Sequence, residues 1–341
     1  MSPSESVART TDLPVLNLAD ADSDPRAFRA ALLAATHDVG FFYLVGHGIP
    51  TTLTDDLLSV ARAFFTLPAK AKDEISQLNS PHFRGYSRLG GELTNGRTDW
   101  REQIDIGPER PALDDAVDFW NLQGPNQWPT ALPELRPAVE AWDAALSQIG
   151  TRLLRHWAAA LGASETIFDD AFAEAPATLI KVVRYPGSAD TEQGVGAHKD
   201  SGVLTLLLVE PGSSGLQVEA RDGRWIDAPP IAGALIVNVG ELLEVATGGY
   251  LRATRHRVLA PAPGTDRLSI PFFFNPALDA RIPVLDLPAE LAEHTRGVDA
   301  DPDNPIFDTY GANAWKSRVR AHPDVALRHH GIAPAGAPSA Y

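Results

Sequence analysis

Two histidines and an aspartate in the C-terminal half of the chain could together bind a metal ion. His198 and Asp200 are separated by one residue, and residues i and i+2 of an extended segment project to the same face. A third ligand must come from elsewhere, and His256 is the best candidate because it lies in a strand-like run from Thr254 to Ala260. Two histidines and one carboxylate leave open positions on an octahedral ion, which is the usual arrangement in non-haem iron(II) oxygenases. The pattern therefore predicts a metal site at these three residues.

The other histidines fit structural roles better. His47 lies in a turn after a buried strand, His156 lies beside the apolar stripe of a long helix, and His329 and His330 lie in a charged tail. None of them has a carboxylate two residues away within the strand-rich half of the chain.

Arg267 and Ser269 repeat the same-face spacing on the last strong strand-like run. A guanidinium beside a hydroxyl suits a carboxylate, because the guanidinium makes paired charge-assisted hydrogen bonds. The run continues as Ile270-Pro271-Phe272-Phe273-Phe274, so we expect Arg267 to enter an apolar interior and to need an anion there. Tyr185 could add a phenol hydrogen bond. A structural ion pair with an Asp or Glu of the chain is the alternative.

Elements that could position these residues follow from the hydrophobic pattern. Apolar residues step by three or four from Leu135 to Leu161, which predicts one long helix over about 133–161. Short apolar runs bounded by Gly and Pro follow residue 176, and Asp222-Gly223 is a typical hairpin turn. Many short strands indicate a sandwich or barrel, a class that includes jelly rolls. The expected strands lie at 179–185, 203–209, 216–220, 224–228, 234–239, 254–260 and 267–274.

Composition limits the chemistry and the partners. The 341 residues contain no cysteine, so thiolate metal sites and disulfides are excluded, and any metal must be held by imidazole or oxygen ligands. The net charge of −15 makes nucleic acid an unexpected partner. There is no apolar run that could serve as a signal peptide or span a bilayer, so we expect a cytoplasmic protein that does not interact with membranes. Residues 1–11 are expected to be a disordered lead-in.

The joint spacing of these residues resembles the isopenicillin N synthase-like oxygenases, which include plant flavonoid and gibberellin oxygenases and many bacterial members. His198-x-Asp200 is followed by 55 residues and then His256, and by ten more and then Arg267-x-Ser269. The resemblance extends over roughly residues 12–330. It also includes Val237-Asn238-Val239-Gly240-Glu241 near the predicted site, and Gly46-His47-Gly48-Ile49 and Gly85-Tyr86 near the front.

The resemblance implies a mainly β fold with flanking helices, in which a double-stranded β-helix (jelly-roll) core carries an N-terminal helical layer. We expect one integrated unit over residues 1–341, with an N-terminal dioxygenase region at 12–120 and the Fe(II)/2-oxoglutarate core at 175–285. The implied reaction uses Fe(II), 2-oxoglutarate and O₂, hydroxylates a small-molecule substrate, and releases succinate and CO₂. His198, Asp200 and His256 would hold the iron, and Arg267, Ser269 and Tyr185 would bind 2-oxoglutarate. Tyr86, Phe272 and Trp315 are the candidates for substrate contacts.

Three other functions remain open from the sequence. An oxidase like isopenicillin N synthase would use the Arg-x-Ser pair for its substrate and need no 2-oxoglutarate. A ligand-binding or sensor protein on the same scaffold would bind no iron. A zinc hydrolase could use the same three ligands, although the sequence offers no evident general base. The substrate, the regiochemistry and the oligomeric state are not predicted.

Overall fold

The computed structural model describes residues 12–298 and 304–333. The expected lead-in at 1–11 lies outside the described residues. Within these ranges the strands are β1 (Val15–Asn17), β2 (Phe41–Val45), β3 (Gly85–Ser87), β4 (Leu93–Thr94), β5 (Arg97–Thr98), β6 (Glu102–Ile106), β7 (Leu179–Pro186), β8 (Gln193–His198), β9 (Leu204–Val209), β10 (Leu216–Glu219), β11 (Trp225–Asp227), β12 (Leu235–Val239), β13 (His256–Leu259) and β14 (Asp266–Phe274). The helices are α1 (Asp20–Ser23), α2 (Pro25–Asp38), α3 (Thr51–Thr66), α4 (Ala69–Asp73), α5 (Leu135–Ala160), α6 (Asp169–Phe172), α7 (Glu241–Ala246), α8 (Ala289–Ala292), α9 (Tyr310–Ala321) and α10 (Pro323–His330).

Two sheets form the core of the molecule. The larger sheet has the order β1-β2-β12-β9-β14-β7-β6-β3, and the smaller has the order β11-β10-β13-β8. Apolar side chains from both sheets form one buried cluster, which includes Tyr43 and Val183 from the larger sheet and Val218 and Val258 from the smaller. The predicted mainly β fold with flanking helices, a jelly-roll core and an N-terminal helical layer is confirmed.

The long helix α5 covers the outer face of the larger sheet. Its apolar stripe includes Trp142 and Trp157, both fully buried, and it packs on β14 and β9. Helices α2 and α3 pack against α5 in turn. The stripe occurs because residues three and four apart fall on one face of a helix, and burial of that face anchors the helical layer to the sheet.

Two features of the front region do not follow from its sequence pattern. Thr52 and Asp55 have the spacing of a helix cap, but α3 begins at Thr51 after Pro50 and has no side-chain cap. The front region also contributes strands to the larger sheet, because β6 pairs with β7 and β3 pairs with β6. Strand β6 therefore extends the larger sheet next to the strand that carries Tyr185. None of the described helices is long and apolar enough to cross a membrane.

Candidate active site

The predicted metal-ligand residues come together where the smaller sheet ends. His198 is the last residue of β8 and His256 is the first residue of β13, and the two are register partners whose ring centroids lie 4.4 Å apart. Asp200 follows β8 by two residues. Its Oδ1 atom lies 3.6 Å from Nε2 of His198 and 3.7 Å from Nε2 of His256. One atom of each side chain can therefore reach a single ion.

Neighbouring groups leave these three atoms free for a metal. Nδ1 of His198 lies 2.8 Å from the carbonyl oxygen of Gly196, and Nδ1 of His256 lies 3.0 Å from that of Thr254. A carbonyl can only accept, so Nδ1 carries the proton in each neutral ring and Nε2 keeps its lone pair.

The carboxylate of Asp200 is oriented in the same way. Its Oδ2 atom accepts hydrogen bonds from the hydroxyl of Thr205 at 2.6 Å and from the amide of Asn238 at 2.8 Å. Its Oδ1 atom is left facing the two imidazoles. Two imidazole nitrogens and one carboxylate oxygen fit an octahedral iron(II) ion with open positions.

Burial and mutual contact set the charges of the triad. Burial and the neighbouring His198 together lower the pKa of His256 to about 4, so His256 is neutral at pH 7. Burial opposes ionisation of Asp200, but His256, His198 and Asn238 together hold the pKa of its carboxyl below the usual range. Asp200 is therefore ionised and His256 is uncharged before a cation binds.

Thr205 and Asn238 were not assigned a role from the sequence, although a buried amide inside the apolar strand Leu235–Val239 was a usable signal.

We expect Asn238→Ala to weaken Fe(II) binding roughly 10- to 100-fold, because the carboxylate loses a partner that fixes its orientation. Anaerobic titration with Fe(II) measures this effect. Asn121→Ala, which removes an amide that donates to the carbonyl of Asp118 in a short 3₁₀ helix, serves as the control. An unchanged affinity in Asn238→Ala would contradict the expectation.

Arg267 and Ser269 lie deep in the larger sheet. Their exposed fractions are 1% and 2%, and Nη1 of Arg267 donates to the Ser269 hydroxyl at 2.9 Å. Tyr185 is the register partner of Arg267, and its ring centroid lies 4.8 Å from the guanidinium carbon. No carboxylate of the described residues forms an ion pair with Arg267, and its Nε is buried without a partner. The alternative of a structural ion pair therefore has no partner in the described part of the chain.

One cavity of about 1220 Å³ connects the two sites. The triad, Arg267, Ser269 and Tyr185 all line it. A molecule in this cavity can contact the candidate metal site and the buried guanidinium at the same time.

Comparison with known proteins identifies the family. Residues 177–276 match the 2OG-Fe(II) oxygenase superfamily, and residues 13–131 match the family described as non-haem dioxygenase in morphine synthesis N-terminal. The chain is 36% identical to the 2-oxoglutarate-dependent dioxygenase frbJ of Dothideomycetidae sp. (strain 11243), over 92% of this chain and 90% of that protein. The chain belongs to the 2OG-Fe(II) oxygenase family.

Two further relatives agree with this assignment. The chain is 34% identical to the homoarginine-6-hydroxylase 2-ODD-C23.2 of Arabidopsis thaliana, over 74% of this chain and 71% of that protein. A crystal structure of a 2OG-Fe(II) oxygenase family protein from Caulobacter crescentus superposes with a TM-score of 0.73 at 27% identity, over 91% of this chain and 99% of that one. The protein is thus a 2-oxoglutarate-dependent non-haem iron dioxygenase whose cofactors are Fe(II) and 2-oxoglutarate, with O₂ as oxidant. The predicted enzyme class and cofactors are confirmed, and the alternative hypothesis of an oxidase without 2-oxoglutarate is not favoured.

The three residues expected to contact substrate lie elsewhere in the dioxygenase. The hydroxyl of Tyr86 donates to Glu102, Phe272 is fully buried beside Phe274, and Trp315 packs against Phe83. None of the three predicted side chains lines the cavity. The structure therefore differs from that prediction, because Tyr86 and Phe272 point to the face of the larger sheet that the helices cover.

A second group of possible metal ligands in the dioxygenase is formed by Glu92, Asp105 and His322. The ammonium of Lys181 already lies 2.7 Å from Glu92 and 3.6 Å from Asp105. A lysine therefore occupies the place of a cation between these carboxylates. His322 is fully buried, and neither ring nitrogen has a hydrogen-bond partner among the described residues.

His322 is expected to make stability depend on pH. Burial lowers its pKa to about 4 and outweighs the attraction of Glu92 and Asp105. In the unfolded chain His322 binds a proton near pH 6.5, whereas in the folded chain it does so only near pH 4. Its contribution to the free energy of unfolding is therefore fully present above pH 6.5 and is lost as the pH falls towards 4. The expected loss from this group is about 3 kcal/mol.

Urea unfolding of the metal-free protein at pH 7 and pH 4 measures this loss. His322→Leu should lose about 3 kcal/mol less than the wild type over the same interval, because the unfolded-state proton is gone. His294→Leu, at an exposed position, is the control and should keep the wild-type loss. Equal losses in His322→Leu and the wild type would contradict the expectation.

Proposed function

We propose that His198, Asp200 and His256 hold the iron, and that Arg267, Ser269 and Tyr185 bind 2-oxoglutarate. The observation that carries the proposal is that three uncommitted donor atoms and an unpaired buried guanidinium line the same cavity. A buried cation without a partner is unfavourable, and the distal carboxylate of 2-oxoglutarate removes that penalty by charge-assisted hydrogen bonds. The residues therefore fit both cofactors that the family uses.

The roles of the side chains follow from their contacts. The carbonyls of Gly196 and Thr254 keep the proton of each imidazole on Nδ1, so that both Nε2 atoms can bind metal. Arg267 and Ser269 hold one end of 2-oxoglutarate and thereby fix the direction of the other. Bound iron and 2-oxoglutarate supply the oxidation, in which O₂ gives one atom to succinate, formed with CO₂, and one to the substrate.

The proposed outcome is hydroxylation of a small molecule. Homoarginine-6-hydroxylases occur among the relatives, and this supports the same outcome here. The net charge of −15 supports the exclusion of nucleic acid as a partner. We also propose one integrated unit, because β2 of the front region pairs with β12 of the core, and β6 pairs with β7.

The test is a turnover assay without added substrate. The purified protein is loaded with Fe(II) under anaerobic conditions, exposed to O₂ with and without 2-oxoglutarate, and assayed for succinate and for O₂ uptake. Slow succinate formation that requires both iron and 2-oxoglutarate is the expected result, and Asp200→Asn should remove it. Thr205→Ser keeps the hydroxyl beside Asp200 and is the matched control.

Other outcomes would contradict the proposal. O₂ uptake at the same rate with and without 2-oxoglutarate would favour the oxidase. Activity with zinc that survives exclusion of O₂ would favour a hydrolase, and failure to bind iron would favour a binding protein. Succinate formation at the wild-type rate in Asp200→Asn would remove that residue from the proposed iron site.

A further inference from the structure

The wall of the cavity beyond Tyr185 carries an unusual concentration of buried charge. Strand β6 continues the sheet next to β7, and its inward residues extend the surface that begins at Arg267. Four cations and three carboxylates on or behind this wall are each at most 9% exposed. They are Arg84, Arg101, Lys181 and Arg318, and Glu92, Asp99 and Asp105.

Three of the four cations are neutralised by these carboxylates. Arg101 lies 3.1 Å from Glu92 and 3.0 Å from Asp99. Lys181 lies 2.7 Å from Glu92. Arg318 on α9 lies 3.3 Å from Asp105. The fourth cation, Arg84, has no ion pair with any described residue, so the wall keeps one positive charge.

The guanidinium of Arg84 has few partners among the described residues. Its Nη2 donates to the carbonyl of Leu122 at 3.0 Å, and this is the only hydrogen bond that its side chain makes to the described residues. Its Nε is buried without a partner, although the side chain lines the cavity and is 7% exposed. Burial and the nearby Arg318 lower the pKa of Arg84 to about 10, so the guanidinium still carries its charge at neutral pH. An uncompensated buried charge calls for an anion that binds from the cavity.

The backbone holds Arg84 in this place. Phe83 has a φ of +56° and Gly85 has a φ of +110°, so Arg84 lies between two residues with left-handed backbone. Such backbone is rare for a residue like phenylalanine and persists only where its surroundings enforce it. The ring of Phe83 is fixed between Trp315 and His330, with centroids 5.7 Å from each. The turn is therefore built into the fold.

Tyr310 offers a second donor on the same wall. It is the first residue of α9, lines the cavity, and is 6% exposed. Burial raises the pKa of Tyr310 to about 12, against the opposing charges of Arg318 and Arg84 nearby. Its hydroxyl makes no hydrogen bond to another described residue and stays protonated. A guanidinium and a phenol donor together suit a carboxylate.

We propose that the substrate carries a carboxylate that binds to Arg84 and Tyr310. The inference rests on the proposed function, because it takes the Arg267 end of the cavity to be filled by 2-oxoglutarate. The cavity then has two carboxylate sites, one for the cosubstrate and one for the substrate, with the ion pairs of Arg101 and Lys181 on the wall between them. Arg84 positions the substrate and takes no part in the oxidation.

Matched acids and amides test the proposal by isothermal titration calorimetry. The full chain is loaded anaerobically with Fe(II) and saturating 2-oxoglutarate. It is then titrated with hexanoate and hexanamide, with phenylacetate and phenylacetamide, and with N-acetyl-L-leucine and its amide. At least one acid should bind about 10- to 100-fold more tightly than its amide, the effect expected for a charge-assisted hydrogen bond. Arg84→Met should abolish this preference, and Tyr310→Phe should reduce it at least about threefold.

The controls separate this site from the cosubstrate site. Arg136→Met removes an exposed arginine that pairs with Glu140, and it should keep the acid preference. The charge-transfer absorption of the iron–2-oxoglutarate complex is followed in each titration. Loss of this absorption as an acid binds would mean that the acid displaces 2-oxoglutarate, and this would count against the proposal. If the absorption never forms, the proposed function fails, while the acid preference of the iron-free protein still reports on Arg84.

The proposal is overturned if no acid is preferred over its amide by the wild type. It is also overturned if Arg84→Met keeps the preference. Should Arg84→Met fail to fold, Arg84→Lys and Tyr310→Phe decide, and wild-type preference in both would overturn the proposal as well.

Discussion

Replacement of His256 by alanine is expected to abolish the visible absorption that arises when Fe(II) and 2-oxoglutarate bind together. The loss of one of three proposed ligands leaves only His198 and Asp200, whose Oδ1 atom lies 3.6 Å from Nε2 of His198. Loss of an outer partner of a ligand typically weakens metal binding about 10- to 100-fold, and we expect loss of the ligand itself to exceed this. Succinate formation should fall below detection.

The measurement is anaerobic. Fe(II) and then 2-oxoglutarate are added to metal-free protein, and the metal-to-ligand charge-transfer band is recorded. The matched control is His47→Ala, which removes a half-buried imidazole that lies 3.1 Å from the carbonyl of Gly233, outside the site. It should keep the band at full intensity. A band of wild-type strength in His256→Ala would exclude His256 as a ligand.

The sequence predicts the long helix and most core strands well because their patterns are local. The helix predicted over 133–161 is observed as Leu135–Ala160. Its apolar residues keep the spacing of one helix face over about seven turns, and a strand cannot produce this spacing. The strand predicted over 267–274 is observed as Asp266–Phe274, and the Asp222-Gly223 turn joins β10 to β11 as expected. These elements follow from periodicity and turn chemistry alone.

Strand β6 could not be predicted in the same way. Its sequence Glu102-Gln103-Ile104-Asp105-Ile106 shows polar residues, yet all five are buried. Their charges are compensated by residues far away in the chain, such as Lys181 and Arg318 for Asp105 and Lys72 for Glu102. Hydrophobicity fails as a signal where ion pairs between distant residues replace apolar contacts. Strand β6 and its buried ion pairs were missed for this reason.

For the site, the spacing of charged residues was more informative than aromatic character. The triad and Arg267 were found because few residue types bind metals or carboxylates. Phe272, by contrast, could have been rejected from the sequence. Side chains alternate along a strand, so if Arg267 and Ser269 face the cavity, Phe272 must face the opposite side. The structure places it there, fully buried among core residues of the helical side.

Substitution of Arg267 by methionine is expected to raise the 2-oxoglutarate concentration needed for half-saturation by roughly 10²- to 10³-fold. The guanidinium is 1% exposed and pairs with no described carboxylate, so its attraction for a bound carboxylate is little screened. Two charge-assisted hydrogen bonds at about 1.5–2 kcal/mol each, the lower part of the usual range, account for this increase. Ser269→Ala should have a smaller effect of about tenfold, because it removes one neutral donor.

The charge-transfer titration measures this effect directly, and it separates affinity for 2-oxoglutarate from affinity for iron. Arg267→Met should bind Fe(II) as the wild type does, since Arg267 touches none of the proposed ligands. Only the 2-oxoglutarate concentration at half-saturation should rise. Arg84→Met is the matched comparison, because it also removes a buried guanidinium that lines the cavity. A half-saturation that rises in Arg84→Met but not in Arg267→Met would exchange the two carboxylate sites, with 2-oxoglutarate at Arg84 and the substrate carboxylate at Arg267. A half-saturation that rises only in Arg267→Met assigns the cosubstrate to the end of the cavity where β14 pairs with β7, and leaves Arg84 for the substrate.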